Sequence, residues 1–570
     1  KQMMSPKMMA VSTTCSLVGT YVGIGLWEKN WSPMWQLRFL SKTTFGTEDL
    51  GLLAAVVGAM IALFFGRSLC GAMFPPRSVP VPGKIGATTV DCRCGVRTFG
   101  ATLVTLAGAY VAVGLVSGAW GWSSLTAEIK NWYAEPPQQQ IETAPGSSWV
   151  TYRGSNLRTG CADGKAGPAE PALLWSRQEV DVQYLAAPAV AGGFVFTGGL
   201  DGGTAGAVYA FHAGKVDAGQ LARKYKSEFS GMLPVYSPPA IAGGLMVVGE
   251  GLHQHKKTSL RCLRVKDGSL LWELVLKSHT ESGPAIVGDK VFFGAGDEGV
   301  VCVELRKVKG EYVAEGDAGA LTIDKEAADP PAPLEVWKQK FSDVEKTRKM
   351  HVDTSPAVVG TGKDALVIVG SGEFEEEGEK VGDRAVIALS AETGKVVWRT
   401  SVSFNPWGSP SVVGDSVFVG CSTARMEPVT FAGAQGEVVC LDLKTGAVKW
   451  KKTIGGGVLG AIALHQDKAF ATATDGTVTA FDLSGKQLWQ VKPGAPIMTG
   501  VTVAGETMYS VDTDGTVVAL KVADGSTVWT FKPGDHGVNN PGMCYGSPAL
   551  ADGKIYIGTD KGWFYCISGK

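Results

Sequence analysis

The chain has 570 residues, more than one compact unit usually holds, so two or more regions are expected. Its 53 Lys and Arg balance 54 Asp and Glu at a formal net charge of -1, which excludes both the basic excess of a nucleic-acid binder and an acidic tail. Its 76 glycines sit mostly between short runs of Val, Ile, Phe, Tyr and Thr, the punctuation of an all-β protein, and its 11 cysteines are dispersed and odd in number, so they leave the redox compartment open.

The first quarter carries three uncharged apolar stretches, Met8 to Trp27, Leu50 to Gly66 and Phe99 to Trp122. A helix needs about 20 apolar residues to cross a hydrocarbon core of roughly 30 Å, so residues 1–133 are expected to form a membrane region with two to three transmembrane helices, the second stretch being short. Lys1 and Lys7, and then Arg67, Arg77, Lys84, Arg93 and Arg97 against the single acid Asp91, place those connections on the cytoplasmic side and everything after Trp122 outside. Cys92 and Cys94 have no second pair at zinc-finger spacing and are read as free thiols. Residues 134–170, opening on "AEPPQQQIETAPGSS", are expected to be a linker.

From Pro171 onward one pattern recurs eight times: a small-Pro-Ala entry, an apolar strand, a Gly-containing turn, a second strand ending in Gly, then G-x-V-x-x-L/F-D and T/D-G-x-x-x-W. "SPSVVGDSVFVG" followed by "GEVVCLDLKTGAVKW" (residues 409–450) shows it in full. Trp272, Trp337, Trp398, Trp450, Trp489 and Trp529 close repeats, and Tyr225 stands where the first should close. The eighth repeat lacks its last strand, while "PALLWS" at Pro171 to Ser176 is a strand without a repeat. Pairing the two closes a ring and removes exposed sheet edges. Repeat spacings of roughly 40 to 50 residues fit propeller blades. The expected fold over 171–570 is therefore an all-β, eight-bladed β-propeller of four-stranded blades closed by N- and C-terminal strands, preceded by the α-helical transmembrane region. Insertions are expected at 306–335, 373–384 and 422–435.

Segments such as "AVIALSAETGKVVW" (residues 385–398) closely resemble the pyrroloquinoline-quinone-type (PQQ-like) propeller repeat. That resemblance implies one of two branches: quinoprotein dehydrogenases, which oxidise alcohols or sugars with bound quinone and Ca²⁺, or non-catalytic envelope scaffolds similar to BamB. The alcohol-oxidising branch uses two adjacent cysteines, and haem-bearing members need Cys-x-x-Cys-His; the chain contains neither. The residues three positions before each aligned Pro approach the axis: Leu185, Tyr236, Glu281, Asp353, Trp407, Leu459, Met498 and Tyr545, with His279 and His351 two residues before the two acids. This ring contains no Arg or Lys for a quinone's carboxylates. The expected central-funnel binding candidates are Tyr236, Glu281, His351, Asp353, Trp407, Met498 and Tyr545. No catalytic residue, metal site or cofactor is expected, with PQQ and Ca²⁺ disfavoured; the "HQH" at His253 to His255 reads as a solvated loop. The resemblance implies a BamB-like, membrane-anchored scaffold in the periplasm or cell envelope. Its expected partners are membrane or envelope proteins and membrane lipid, not nucleic acid. A dehydrogenase with a degenerate site and an accessory subunit of a larger membrane complex are the alternatives.

Overall fold

The computed structural model of the chain describes residues 149–569 apart from 162–166, 215–217, 227–230, 254, 309–310, 313–329, 342–348 and 377–378, together with Gln139, Ile141 and two short strands near residue 80. The chain divides into two units, Lys1–Glu135 and Pro136–Lys570. In the first, Ser78–Val79 pairs antiparallel with Thr88–Thr89. The three expected membrane spans lie outside the described residues, and no described helix is long and apolar enough to cross a membrane.

The second unit is an eight-bladed propeller of antiparallel sheets. The blade built on the opening repeat is typical: Ser411–Val413, Ser416–Ser422, Gly436–Asp442 and Val448–Ile454 pair in order. The sequence places these strands because Gly414, at φ 56, turns the first hairpin, while Phe418, Val438 and Cys440 alternate into a core shared with the next blade. Closure follows expectation. Pro171–Gln178 pairs with Trp563–Gly569 as the fourth strand of the last blade, with a bulge between Leu173 and Trp175.

In five blades a tryptophan locks the blade to the next by donating its indole N–H to a carbonyl there. Trp398 Nε1 donates to Leu443 O at 2.8 Å and Trp450 Nε1 to Leu483 O at 2.9 Å, and Tyr225 makes the equivalent bond to Val265 O at 2.8 Å, confirming its place in the count. The glycine of the T-G turn serves this contact. Gly446, at φ 70, has the six-membered ring of Trp398 where a Cβ would stand, 2.5 Å away, so the turn conformation and the close approach both demand glycine there.

Within the expected linker lies an element that a repeat count passes over. Residues 149–161 run once round the inside of the ring. The carbonyls of Trp149, Val150, Asn156, Leu157, Thr159 and Gly160 accept, in that order, from the N–H groups of Val190, Ile241, Val358, Val412, Leu464 and Val503. Each donor stands five residues after the axial position of its own blade, so this segment fills the channel one level beneath the candidate ring. Asn156 Nδ2 donates to Ile286 O at 2.7 Å and brings in the third blade. Two arginines, Arg153 and Arg158, both at φ 59 and both buried, anchor it. Arg158 uses all five guanidinium N–H bonds: Nε to Pro356 O (2.9 Å), Nη1 to Thr151 Oγ1 (2.8 Å) and Tyr152 O (2.9 Å), Nη2 to Gly283 O (3.1 Å) and Pro284 O (3.0 Å). The channel is thereby a blind funnel.

Candidate functional site

The funnel mouth is built by two sets of loops on one face: those entering each innermost strand, and those joining the second and third strands of a blade. Of the expected ring, Leu185, Leu459 and Met498 are 3%, 2% and 1% exposed. Met498 is therefore corrected as a binding candidate: its flexible side chain fills space inside the ring and presents no surface. Tyr236 and Tyr545 meet edge to face with centroids 6.5 Å apart. Glu281, next to Tyr236, leads into a group in which His351, Asp353 and Trp407 gather.

Asp353 is the centre of that group. Its Oδ1 lies 2.9 Å from His279 Nε2 and its Oδ2 3.1 Å from His351 Nε2. The other nitrogen of His351, Nδ1, lies 2.6 Å from Asp297 Oδ1, and His279 Nδ1 lies 3.4 Å from Ser278 Oγ. His253 covers the pair, its ring 4.3 Å from that of His279 and 5.8 Å from that of His351. Phe374 closes one side, 4.1 Å from His351 and edge-on to Trp407 at 5.3 Å.

The electrostatics follow from this geometry. Burial works against charge on His351, yet Asp353 and Asp297 together raise it to about 10, so both of its ring nitrogens donate. His279 is raised in the same way: burial opposes the shift and the Asp353 charge outweighs it. Burial alone would raise Asp353, but the charges and hydrogen bonds of His351 and His279 hold it well below the carboxylate range. At Glu281 burial and the nearby Asp353 charge outweigh the pull of His279 and His351 and push the carboxyl up to about 7. Burial lowers the more peripheral His253.

Beside this cluster a cleft of about 340 Å³ is lined by Glu373, Phe374, Arg384, Phe404, Asn405, Trp407, Ser422, Thr423 and Arg425. Arg384 pairs with Glu373 at 3.0 Å, and Asn405 bridges the cleft floor, accepting from Glu373 N at 2.9 Å and donating to its O at 2.9 Å. Sequence reasoning did not select Phe374, Arg384 or Arg425 because they stand in two of the insertions, where no repeat register exists. Asp297 did have a signal. It falls three residues before the third strand of its blade, the position of Asp475 in the sixth. There the carboxylate only closes a turn, accepting from Thr477 N at 3.0 Å.

Residues 112–324, 326–428 and 420–568 match the family described as outer membrane protein assembly factor BamB, and the chain belongs to that family. Among curated proteins it is 26% identical over 276 residues to outer membrane protein assembly factor BamB of Burkholderia pseudomallei (strain K96243), covering 45% of this chain and 65% of the relative. It is 39% identical over 101 residues to methanol dehydrogenase [cytochrome c] subunit 1 of Methylobacterium organophilum, covering 17% of this chain and 14% of the relative. Both matches thus span less than two thirds of the relative's own length. A solved europium-containing methanol dehydrogenase shares the fold with a TM-score of 0.52 at 13% identity, covering 75% of this chain and 98% of that one.

Proposed function

We propose that the protein is a non-catalytic scaffold of the cell envelope, which holds a protein partner at the funnel mouth and the adjoining cleft. The observation that carries this reading is the cleft itself, where Trp407, Phe374 and Phe404 offer aromatic surface beside Arg384 and Arg425. Aromatic and arginine side chains around a partly desolvated pocket are what dominates protein-protein binding energy. The match to an outer membrane assembly factor points to an envelope assembly complex as the setting, with membrane attachment through residues 1–133.

A quinoprotein dehydrogenase is the second reading, favoured by the local match to a methanol dehydrogenase subunit. Against it, the axial ring supplies no basic side chain for quinone carboxylates, and the chain has no adjacent cysteine pair. The two readings separate in one pair of measurements. Cross-linking from native membranes should capture an assembly-complex subunit with the wild type and lose it with Trp407→Ala combined with Arg425→Glu. Incubation with pyrroloquinoline quinone and Ca²⁺ should give neither quinone absorbance nor dye-linked alcohol oxidation. Stoichiometric quinone uptake with turnover, or capture indifferent to both substitutions, would overturn the scaffold reading.

A further inference from the structure

We propose that His253, His279, His351 and Asp353 form a binding site for a divalent transition-metal ion of borderline softness, with Zn²⁺ as the best fit. This goes beyond the scaffold reading and does not depend on it. The four residues each offer one ligand atom, and these atoms all lie within 4.8 Å of one another. A tetrahedral ion bound at about 2.0–2.1 Å sets its ligand atoms roughly 3.3 Å apart, so the donors need little movement to close on one. Two of the distances are shorter already, 2.9 Å and 3.1 Å from Asp353 to the two Nε2 atoms.

The donor set selects the metal. Three imidazoles and one carboxylate suit Zn²⁺ and its neighbours, whereas Ca²⁺ and Mg²⁺ take oxygen ligands almost exclusively. The surroundings match a metal site rather than a chance grouping. Asp297 holds Nδ1 of His351 at 2.6 Å and thereby turns Nε2 inward, the carboxylate–histidine arrangement that orients metal-bound imidazoles. Ser278 stands in the same relation to His279. On binding, each Nε2 that carries a proton releases it to solvent and gives its lone pair to the ion, while the Nδ1–H of His351 stays on Asp297. His253 is exposed and His279 and His351 are buried, so the ion would enter from the mouth with His253 closing over it. Phe374 and the edge of Trp407 shield the flank.

The contribution of three blades makes the grouping informative. His253 and His279 follow the second and fourth strands of the second blade, Asp297 lies in the third, and His351 and Asp353 enter the fourth. No turn or single loop chemistry would bring these together.

The test uses the untagged full chain, stripped with a chelator and titrated with Zn²⁺ against a chromophoric competitor. Co²⁺ serves as a spectroscopic probe of geometry. One equivalent of Zn²⁺ and an intense tetrahedral Co²⁺ visible spectrum are expected. The double variant His279→Ala/His351→Ala should lose the stoichiometric site. Asp297→Asn, which leaves all four ligands in place, should weaken binding about 10- to 100-fold. His465→Gln, remote from the cluster, should bind as the wild type does. No stoichiometric Zn²⁺, a six-coordinate Co²⁺ spectrum, or Zn²⁺ affinity unchanged in both cluster variants would overturn the assignment. A circular dichroism spectrum identical to the wild type shows that any loss in Asp297→Asn belongs to the site and not to the fold.

Discussion

Substituting Arg158 should destabilise the propeller more than any surface change, and the structure gives the size. The guanidinium is fully buried and satisfied by five acceptors drawn from its own segment and from the entries to the third and fourth blades. No carboxylate supplies a counter-charge among these contacts, so burial penalises the charged form and the carbonyl dipoles replace water. Hydrogen bonds to a charged donor contribute about 1.5–3 kcal/mol each, and five summed independently would give roughly 7–15 kcal/mol, as much as the whole stability of a domain. That sum overstates the loss, because the carbonyls retain access to entering water and removal of the charge abolishes its desolvation cost. For Arg158→Ala we expect a loss of about 3–5 kcal/mol, the range of broken buried polar networks. Arg158→Lys, with three donors on one nitrogen, cannot reach both Pro356 and the Gly283–Pro284 pair and should lose about 2–3 kcal/mol. Urea unfolding followed by tryptophan fluorescence measures both as shifts in midpoint at constant slope. A midpoint for Arg158→Ala within about 1 kcal/mol of wild type would refute the claim that this residue ties the segment to the ring.

Arg261→Ala should cost about 3–5 kcal/mol in the same assay, because it leaves the buried carboxylates of Glu250 and Glu273 without the guanidinium that bonds both. Asp201 supplies a pH dependence: burial would raise its carboxyl, but hydrogen bonds and charges from Lys224 and Lys226 outweigh this and hold it below its ordinary value. A folded value below the unfolded one means that the stabilisation is present above about pH 4 and is lost as pH falls through the folded value. Asp201→Asn should therefore be less stable than wild type by about 1–3 kcal/mol at pH 7, with the gap narrowing in acid; a gap that stays constant down to pH 2 would refute this.

The propeller was legible because its physics repeats. A period of one blade, a Trp donating to the neighbouring blade and a glycine turn beneath it recur often enough to survive two weak copies, and the orphan strand at Pro171 announced the closure. The axial ring was legible for the same reason, and it delivered Glu281, Asp353 and Trp407 with His279 and His351 beside them. What escaped notice occurs once. The segment 149–161 has no repeat and no hydrophobic period, since its task is to present carbonyls to six strands and an amide donor to a seventh. Phe374 and Arg425 lie in insertions, and His253 looked solvated because only the closed ring sets it over His279 and His351.

The once-only segment and the histidine cluster are mechanically linked. Arg158 grips Gly283 and Pro284, which follow His279 and Glu281 in the third entry, and Pro356, which follows His351 and Asp353 in the fourth. One guanidinium therefore sets the spacing of the two loops whose Nε2 atoms must close on an ion. Arg153, its counterpart, donates instead to Gly500 in the seventh entry at 3.1 Å, away from the cluster. The two arginines separate a local effect from general loosening. Under conditions where both variants remain folded, Arg158→Lys should weaken Zn²⁺ binding about tenfold, corresponding to about 1.4 kcal/mol, and Arg153→Lys should leave it within about twofold. Site geometry off by a fraction of an ångström carries costs of this order, because the donors cannot follow the ion once their loops have parted. Equal weakening in both variants would assign the effect to the ring as a whole, and no weakening in either would show that the loops hold their spacing without the segment beneath them.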